Sequence, residues 1–321
     1  MRYFYSSFVF MAGGLIAAYF IGGIKAVYLA ILLITLEVSL SFDNAIVNAK
    51  ILGQMDILWQ KRFIVFGLII AVFGMRLFFP LLIVYFTSNM GLAQTLKTAL
   101  YHPVQYEAIL HNAQPAIFAF GGAFLLMVFL DFFLQTREVQ WIALLENSKL
   151  VKKLSAITNI KLLIAVIVSL MLGFTTADLH IVLNFIYGIL LYTLLEALTR
   201  LLSLDMIKNG LMGFVYLEVL DASFSFDGVI GAFAISGNIL IIMLGLGIGA
   251  MFVRSITIYF VQHKTLAKYI YLEHGAHYAI GILAVIMLLK ISINISDTLT
   301  GTIGIGLIGA AFIHSLLKSK S

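Results

Sequence analysis

The feature that most constrains this chain is the length of its uninterrupted apolar blocks. They run for roughly 17 to 25 residues between charged or turn residues, and a helix needs about 20 apolar residues to cross a hydrocarbon core about 30 Å thick. Backbone polar groups find no water there, so only helices or closed barrels can span it. A barrel would show alternating segments of about ten residues, and none are visible. The chain is 62% hydrophobic and 11% charged over 321 residues, with a mean hydropathy of +1.07. A water-soluble fold of this size has too little interior to hide that much apolar surface. The fold class expected is all-α: a polytopic transmembrane helix bundle with the lipid bilayer as its surroundings.

Apolar blocks bounded by charges or turn residues predict about ten spans, near residues 7–24, 26–49, 62–87, 116–134, 160–176, 180–202, 211–236, 238–261, 275–291 and 299–317. The tightest separations fall at Gly22–Lys25 and around Gly237. The first block lacks a small-residue cleavage site and reads as a retained helix. Lys and Arg collect in loops that stay cytoplasmic. With both termini inside, the inner side holds fifteen of them: Arg2, Lys50, Lys61, Arg62, Arg137, Lys149, Lys152, Lys153, Lys161, Arg200, Lys208, Lys264, Lys268, Lys318 and Lys320. The outer side holds three, Lys25, Lys97 and Lys290, while Arg76 and Arg254 lie inside spans. A missed or extra helix would scramble this sorting. The net charge of +5 thus follows membrane sidedness, and nucleic acid is excluded as a partner. The long inner connector, 135–159, carries Trp141, Leu144, Leu145 and several lysines. It suits either an amphipathic helix on the membrane surface or a solvated connector.

A repeat organises the chain. Residues 37–46 read EVSLSFDNAI and residues 221–230 read DASFSFDGVI. Each segment is followed by a span bearing one arginine, Arg76 or Arg254, and then by a span with a glycine near its start, Gly122 or Gly281. The unit therefore holds five helices, 1–176 and 177–321. An odd number forces the second copy to cross in the opposite sense. Such inverted repeats suit transporters that place a site near the midplane. Duplication kept only for packing would explain repeated apolar patterns, but not why the costly charged residues are what repeats.

A charge at the bilayer centre costs about 2.5–3.5 kcal/mol on insertion scales and marks a functional hypothesis. Glu37, Asp43, Glu218, Asp221 and Asp227 fall well inside predicted spans, and two arginines cannot neutralise them. A bound cation, protons or both meet that deficit. Glu37, Ser41 and Asn44 share one helix face, as do Glu218, Asp221 and Ser225. Asp43 and Asp227 lie off those faces, so a helix break near Ser41–Asn44 or Ser225–Gly228 is expected to gather the ligands. The expected metal ligands are Glu37, Ser41, Asp43, Asn44, Glu218, Asp221, Ser225 and Asp227, with Arg76 and Arg254 as charge-pairing groups. These are hard oxygen donors, which suit Mn²⁺, Ca²⁺ or Mg²⁺ as a transported substrate. No cysteine is present, so thiolate sites are excluded. No organic cofactor is implied.

Glu196, Glu273, His274 and His277 suit a cytoplasmic access route or proton relay; helix-start capping is the plainer reading of the α-helical cluster at 273–277. Asp131 reads as interfacial. Gly245 and Gly249 form a close-packing GxxxG rather than a nucleotide loop.

Glu37, Ser41, Phe42, Asp43 and Asn44, with Glu218, Asp221 and Asp227 at the spacing of a second copy, resemble the TerC family of bacterial membrane proteins, in the wider group of LysE-type exporters. The resemblance covers roughly residues 26–135 and 205–291, including the stretches at 120–133 and 271–281. Gly228 stands where that family often has serine or asparagine. The resemblance implies divalent-metal export, manganese foremost, across the bacterial inner membrane. The expectation is therefore a transporter and not an enzyme. Two other readings compete. One is a membrane scaffold whose acids only lock helices. The other is an intramembrane aspartyl protease built on Asp43 and Asp227, against which the flanking sequence lacks a Gly-x-Gly-Asp motif.

Overall fold

The computed structural model describes residues 2–78, 81, 85, 90–135, 139–201, 210–211, 213–219, 221, 232, 235–236, 238–295 and 297–318. These residues are helical with short connections, and no strand occurs among them. Among them, five helices are long and apolar enough to cross a membrane: Tyr5–Val38, Val104–Phe133, Leu179–Ala197, Ile239–Gln262 and Leu272–Lys290. Ile160–Thr176 and Thr302–Lys318 are shorter apolar helices. The expected spans 62–87 and 211–236 fall partly outside the described residues.

In chain order the helices are α1 (Tyr5–Leu40), α2 (Phe42–Leu52), α3 (Ile57–Ile69), a π-helical stretch (Ile70–Phe78), α4 (Leu92–Tyr101), α5 (Pro103–Phe133), α6 (Ala143–Glu146), α7 (Lys149–Ser155), α8 (Ile160–Thr176), α9 (Leu179–Leu201), α10 (Ile239–Gln262), α11 (Thr265–Lys268), α12 (Leu272–Lys290) and α13 (Asp297–Lys318). They fall into two compact units. The first comprises Met1–Gln114 and Leu204–His263, and the second Pro115–Ser203 and Lys264–Ser321, so each draws on both halves of the sequence.

In the first unit, the separation expected near Gly22 occurs inside α1. Gly22 and Gly23 leave helical geometry, and Gly23 takes φ +65°, which a side chain would disfavour. Helix α10 begins where Asn238 accepts the backbone N–H groups of Leu240 and Ile241, an N-cap that supplies orphan donors with an acceptor. Helices α10 and α1 then pack closely. A Cβ on Gly245 would sit 2.5 Å from the Leu33 Cβ, and one on Gly249 would sit 2.5 Å from the Glu37 Cβ and 3.2 Å from the Ile34 carbonyl oxygen. The GxxxG is thus a helix-packing face, as its sequence suggests. Gly249→Ala is expected to cost about 1–3 kcal/mol by overpacking. Neither a Cβ nor a backbone carbonyl can step aside. A thermal unfolding midpoint in detergent equal to wild type would refute this.

In the second unit, α5 and α12 meet through Gly122 and Gly281. A Cβ on Gly122 would lie 2.8 Å from Leu288 Cδ2, and one on Gly281 would lie 2.6 Å from Phe129 Cδ2. Leu288 lies seven residues beyond Gly281, and Phe129 seven beyond Gly122. The contact is therefore reciprocal between antiparallel helices. The connector between α5 and α8 is held in place: the Trp141 indole N–H donates to His314 Nδ1 at 3.0 Å on α13, and the Glu146 carboxylate accepts the backbone N–H groups of Trp141 and Ile142 and the Tyr278 hydroxyl of α12. Leu144, 90% exposed, and Leu145 project outward beside the exposed Lys149, Lys152 and Lys153.

Candidate functional site

The acidic motif of the first half sits at a helix break. Helix α1 ends at Leu40, Ser41 has φ −103° and ψ 14°, and α2 begins at Phe42. The break expected within Ser41–Asn44 is therefore present at Ser41. The helical ladder continues through it, with the Ser41 N–H on the Glu37 carbonyl at 3.0 Å and the Ala45 N–H on the Ser41 carbonyl at 3.2 Å, so it is a local distortion. The Ser41 hydroxyl donates to Glu37 Oε1 at 3.0 Å, and Asp43 accepts the Asn44 backbone N–H at 2.9 Å in the first turn of α2. A carboxylate is favourable there because the first amides of a helix lack intrahelical partners. The Asn44 side-chain amide donates to Asp221 Oδ1 at 2.7 Å, which joins the two acidic motifs.

Each arginine pairs with an acid of its own half. Arg76, on the π-helical stretch, donates to Glu37. Short π-helical insertions recur at functional sites because they rotate side chains off the regular helical face. Arg254 donates to the Phe63 carbonyl at 2.8 Å and to Glu218 at 3.4 Å, lies 3.8 Å from Asp221 Oδ2, and sits over the Phe63 ring at 4.3 Å. Gly67 of α3 leaves the room for this pair; a Cβ there would meet the Arg254 guanidinium and Glu218.

Glu37, Asp43, Glu218 and Asp221 are all buried, as are Arg76 and Arg254. Glu37, Glu218 and Asp221 thus share two guanidiniums, one carboxylate more than the arginines, and Asp43 is a further buried acid of the same unit. Four buried oxygens of this cluster also lack a hydrogen-bond partner, Glu37 Oε2, Glu218 Oε2, Asp221 Oδ2 and Asn44 Oδ1, as does Asn48 Oδ1 one turn further along α2. Each such atom costs about 1–3 kcal/mol, more when charged, so their concentration in one place calls for a reason. Hard oxygen donors of this kind fit a divalent cation of the Mg²⁺, Ca²⁺ or Mn²⁺ class. Among the described residues no three His, Asp or Glu side chains are grouped so that they could hold a metal ion by themselves. Ser225 and Asp227 lie outside the described residues.

The remaining expected residues belong to the second unit. Lys161 bridges Asp131 at 2.8 Å and Glu196 at 2.6 Å, which ties α5, α8 and α9 together at a partly exposed position. His274 Nε2 lies 3.0 Å from the Val139 carbonyl oxygen and 3.6 Å from Glu146, while His277 stacks on Phe132 at 3.8 Å. His277 Nδ1 lies 2.8 Å from the carbonyl oxygen of Glu273. Sequence reasoning missed Asn48. It stands four residues after Asn44, one turn along the same face of α2, and its unpartnered oxygen rather than its sequence context draws attention to it.

A family model described as a protein of unknown function (DUF475) matches residues 42–321. No curated protein and no solved structure matches the chain.

Proposed function

We propose that this chain, which belongs to the DUF475 family, is a transporter that moves a divalent metal cation, manganese foremost, out across the bacterial inner membrane in exchange for protons. The observation that carries this reading is the buried cluster of the first unit. It has more carboxylates than arginines and several acid and amide oxygens without hydrogen-bond partners. A cation of the hard class supplies both the missing charge and the missing partners. Arg76 and Arg254 hold Glu37 and Glu218 until the ion arrives, and the ion then competes with them for the same oxygens. Closely spaced carboxylates bind protons when no cation screens them, which makes proton exchange the natural counter-step. Glu196, Glu273, His274 and His277 belong to the proton arm of this proposal.

The architecture proposed for this activity is ten spans in two inverted five-helix repeats, with both termini cytoplasmic. Two parallels support it. Arg76 pairs with Glu37 as Arg254 pairs with Glu218 and Asp221. The Gly122–Leu288 and Gly281–Phe129 contacts are interchanged when Gly122 is laid on Gly281, a register offset by 159 residues where the acidic motifs are offset by 184.

The expected result is that purified protein in proteoliposomes moves Mn²⁺ with a coupled change in internal pH. Asp43→Asn and Asp227→Asn should each cut the flux at least tenfold while remaining folded. Absence of Mn²⁺, Ca²⁺ and Mg²⁺ flux under every gradient would sink the proposal. The paired arginines favour one other reading, a scaffold in which the acids only lock helices. That reading has the variants change assembly or stability and leave metal movement at background in wild type as well.

A further inference from the structure

Helix α2 is short, and Asp43 through Ala49 are buried without interruption along it. An apolar helix would be the simplest occupant of such a position. Instead it carries Asn44 and Asn48, which are 1% and 2% exposed. The Asn44 Oδ1 and Asn48 Oδ1 atoms both lack a hydrogen-bond partner. The two asparagines are four residues apart, so they lie on one face of α2, about 6 Å apart along the axis. Asn44 is already fixed in the acid cluster through its amide bond to Asp221. Asn48 extends that row of oxygens by one turn, toward the end of α2 that carries Lys50. The sorting of Lys and Arg places Lys50 on the cytoplasmic side.

We propose that Asn48 is a cation ligand: a neutral oxygen station one helical turn on the cytoplasmic side of the Glu37–Asn44–Asp221 cluster, where an incoming hard divalent ion exchanges part of its water shell before it meets the carboxylates. The inference rests on the transport reading above and adds a residue and a route to it. A neutral amide suits this position. It replaces a water oxygen without deepening the charge excess of the cluster, and it releases the ion readily. A conducting or transporting site needs both properties.

The test uses the full chain in proteoliposomes, with Mn²⁺ as the probe, and compares wild type with Asn48→Leu, Asn48→Ala and Asn48→Asp. Mn²⁺-dependent thermal stabilisation in detergent serves as a second readout. Asn48→Leu and Asn48→Ala, which remove the oxygen, should raise the half-saturating Mn²⁺ concentration at least tenfold and leave the maximal rate within threefold. Asn48→Asp, which keeps an oxygen but adds a charge, should bind Mn²⁺ at least as tightly as wild type and lower the maximal rate at least threefold, because the ion is released less readily. If Asn48→Leu fails to fold, Asn48→Ala carries the comparison. Unchanged half-saturation in the oxygen-free variants would overturn the assignment. Equal losses in Asn48→Ala and Asn48→Asp would do so too, because they would point to the amide N–H or to packing. Wild-type protein that neither moves nor binds Mn²⁺ would instead bring down the transport reading itself, and this ligand with it.

Discussion

Arg76→Met is expected to destabilise the protein by about 3–5 kcal/mol, the scale on which a buried ion pair responds to loss of one partner. Arg76 is 2% exposed and Glu37 1%, and the two are hydrogen-bonded. Methionine keeps much of the volume of the arginine stem but leaves the buried Glu37 carboxylate with no facing cation and the Ser41 hydroxyl as its donor. The double variant Arg76→Met/Glu37→Gln should regain most of the loss, because no uncompensated charge remains. Glutamine also still offers the Ser41 hydroxyl an oxygen. Thermal unfolding in detergent of the two single variants and the double variant closes the cycle. A double variant no more stable than Arg76→Met would show that Arg76 acts through packing and not through its charge. The partly exposed Lys161–Asp131–Glu196 triad sets the opposite end of the scale, since solvent-screened pairs contribute about 0.2–1 kcal/mol.

The parts of this fold that follow from simple periodicity were legible in the sequence. The apolar blocks at 160–176, 180–202 and 238–261 correspond to α8, α9 and α10 within a residue or two, because burial in lipid demands the same length and composition everywhere. The departure from helical geometry at Ser41 falls inside the stretch where Asp43, six residues beyond Glu37, made one expected. The GxxxG of α10 announced a close approach, although not that Glu37 would be the side chain it accommodates. Other features were beyond sequence patterning. An i→i+5 ladder over Ile70–Phe78 leaves no signature in an apolar run, so the orientation of Arg76 could not be read. The anchoring of Trp141 on His314 and of Glu146 on Tyr278 joins residues more than a hundred positions apart. Such pairs depend on how helices assemble, and no local window contains them. Asn48 was overlooked because a lone asparagine in an apolar helix usually satisfies itself on a nearby carbonyl; only an oxygen left without a partner marks it out.

Asp221→Asn should separate binding from folding more cleanly than any other substitution. Asp221 is where the two acidic motifs touch: its Oδ1 accepts the Asn44 amide at 2.7 Å, and its Oδ2 has no hydrogen-bond partner although Arg254 stands 3.8 Å away. Asparagine has the same shape and can still present an oxygen to Asn44, so the polar link between the motifs survives. What disappears is one negative charge from a cluster that already has too many. If that excess is held in readiness for a cation, its removal should weaken Mn²⁺ binding by about a hundredfold, or about 2.8 kcal/mol at 1.4 kcal/mol per factor of ten. Stability without metal should stay the same or rise, the pattern expected where a site carries strain for function. Wild type should gain about 2.7 kcal/mol of stability when Mn²⁺ is a hundredfold above its dissociation constant, and Asp221→Asn should lose that gain at the same concentration. If the acids only lock helices, the signs reverse: Asp221→Asn should unfold more readily without metal, and added Mn²⁺ should stabilise neither protein. Thermal unfolding of both proteins across a Mn²⁺ titration reads the two slopes directly, and the reversed pattern would move the argument from a transporter to a scaffold.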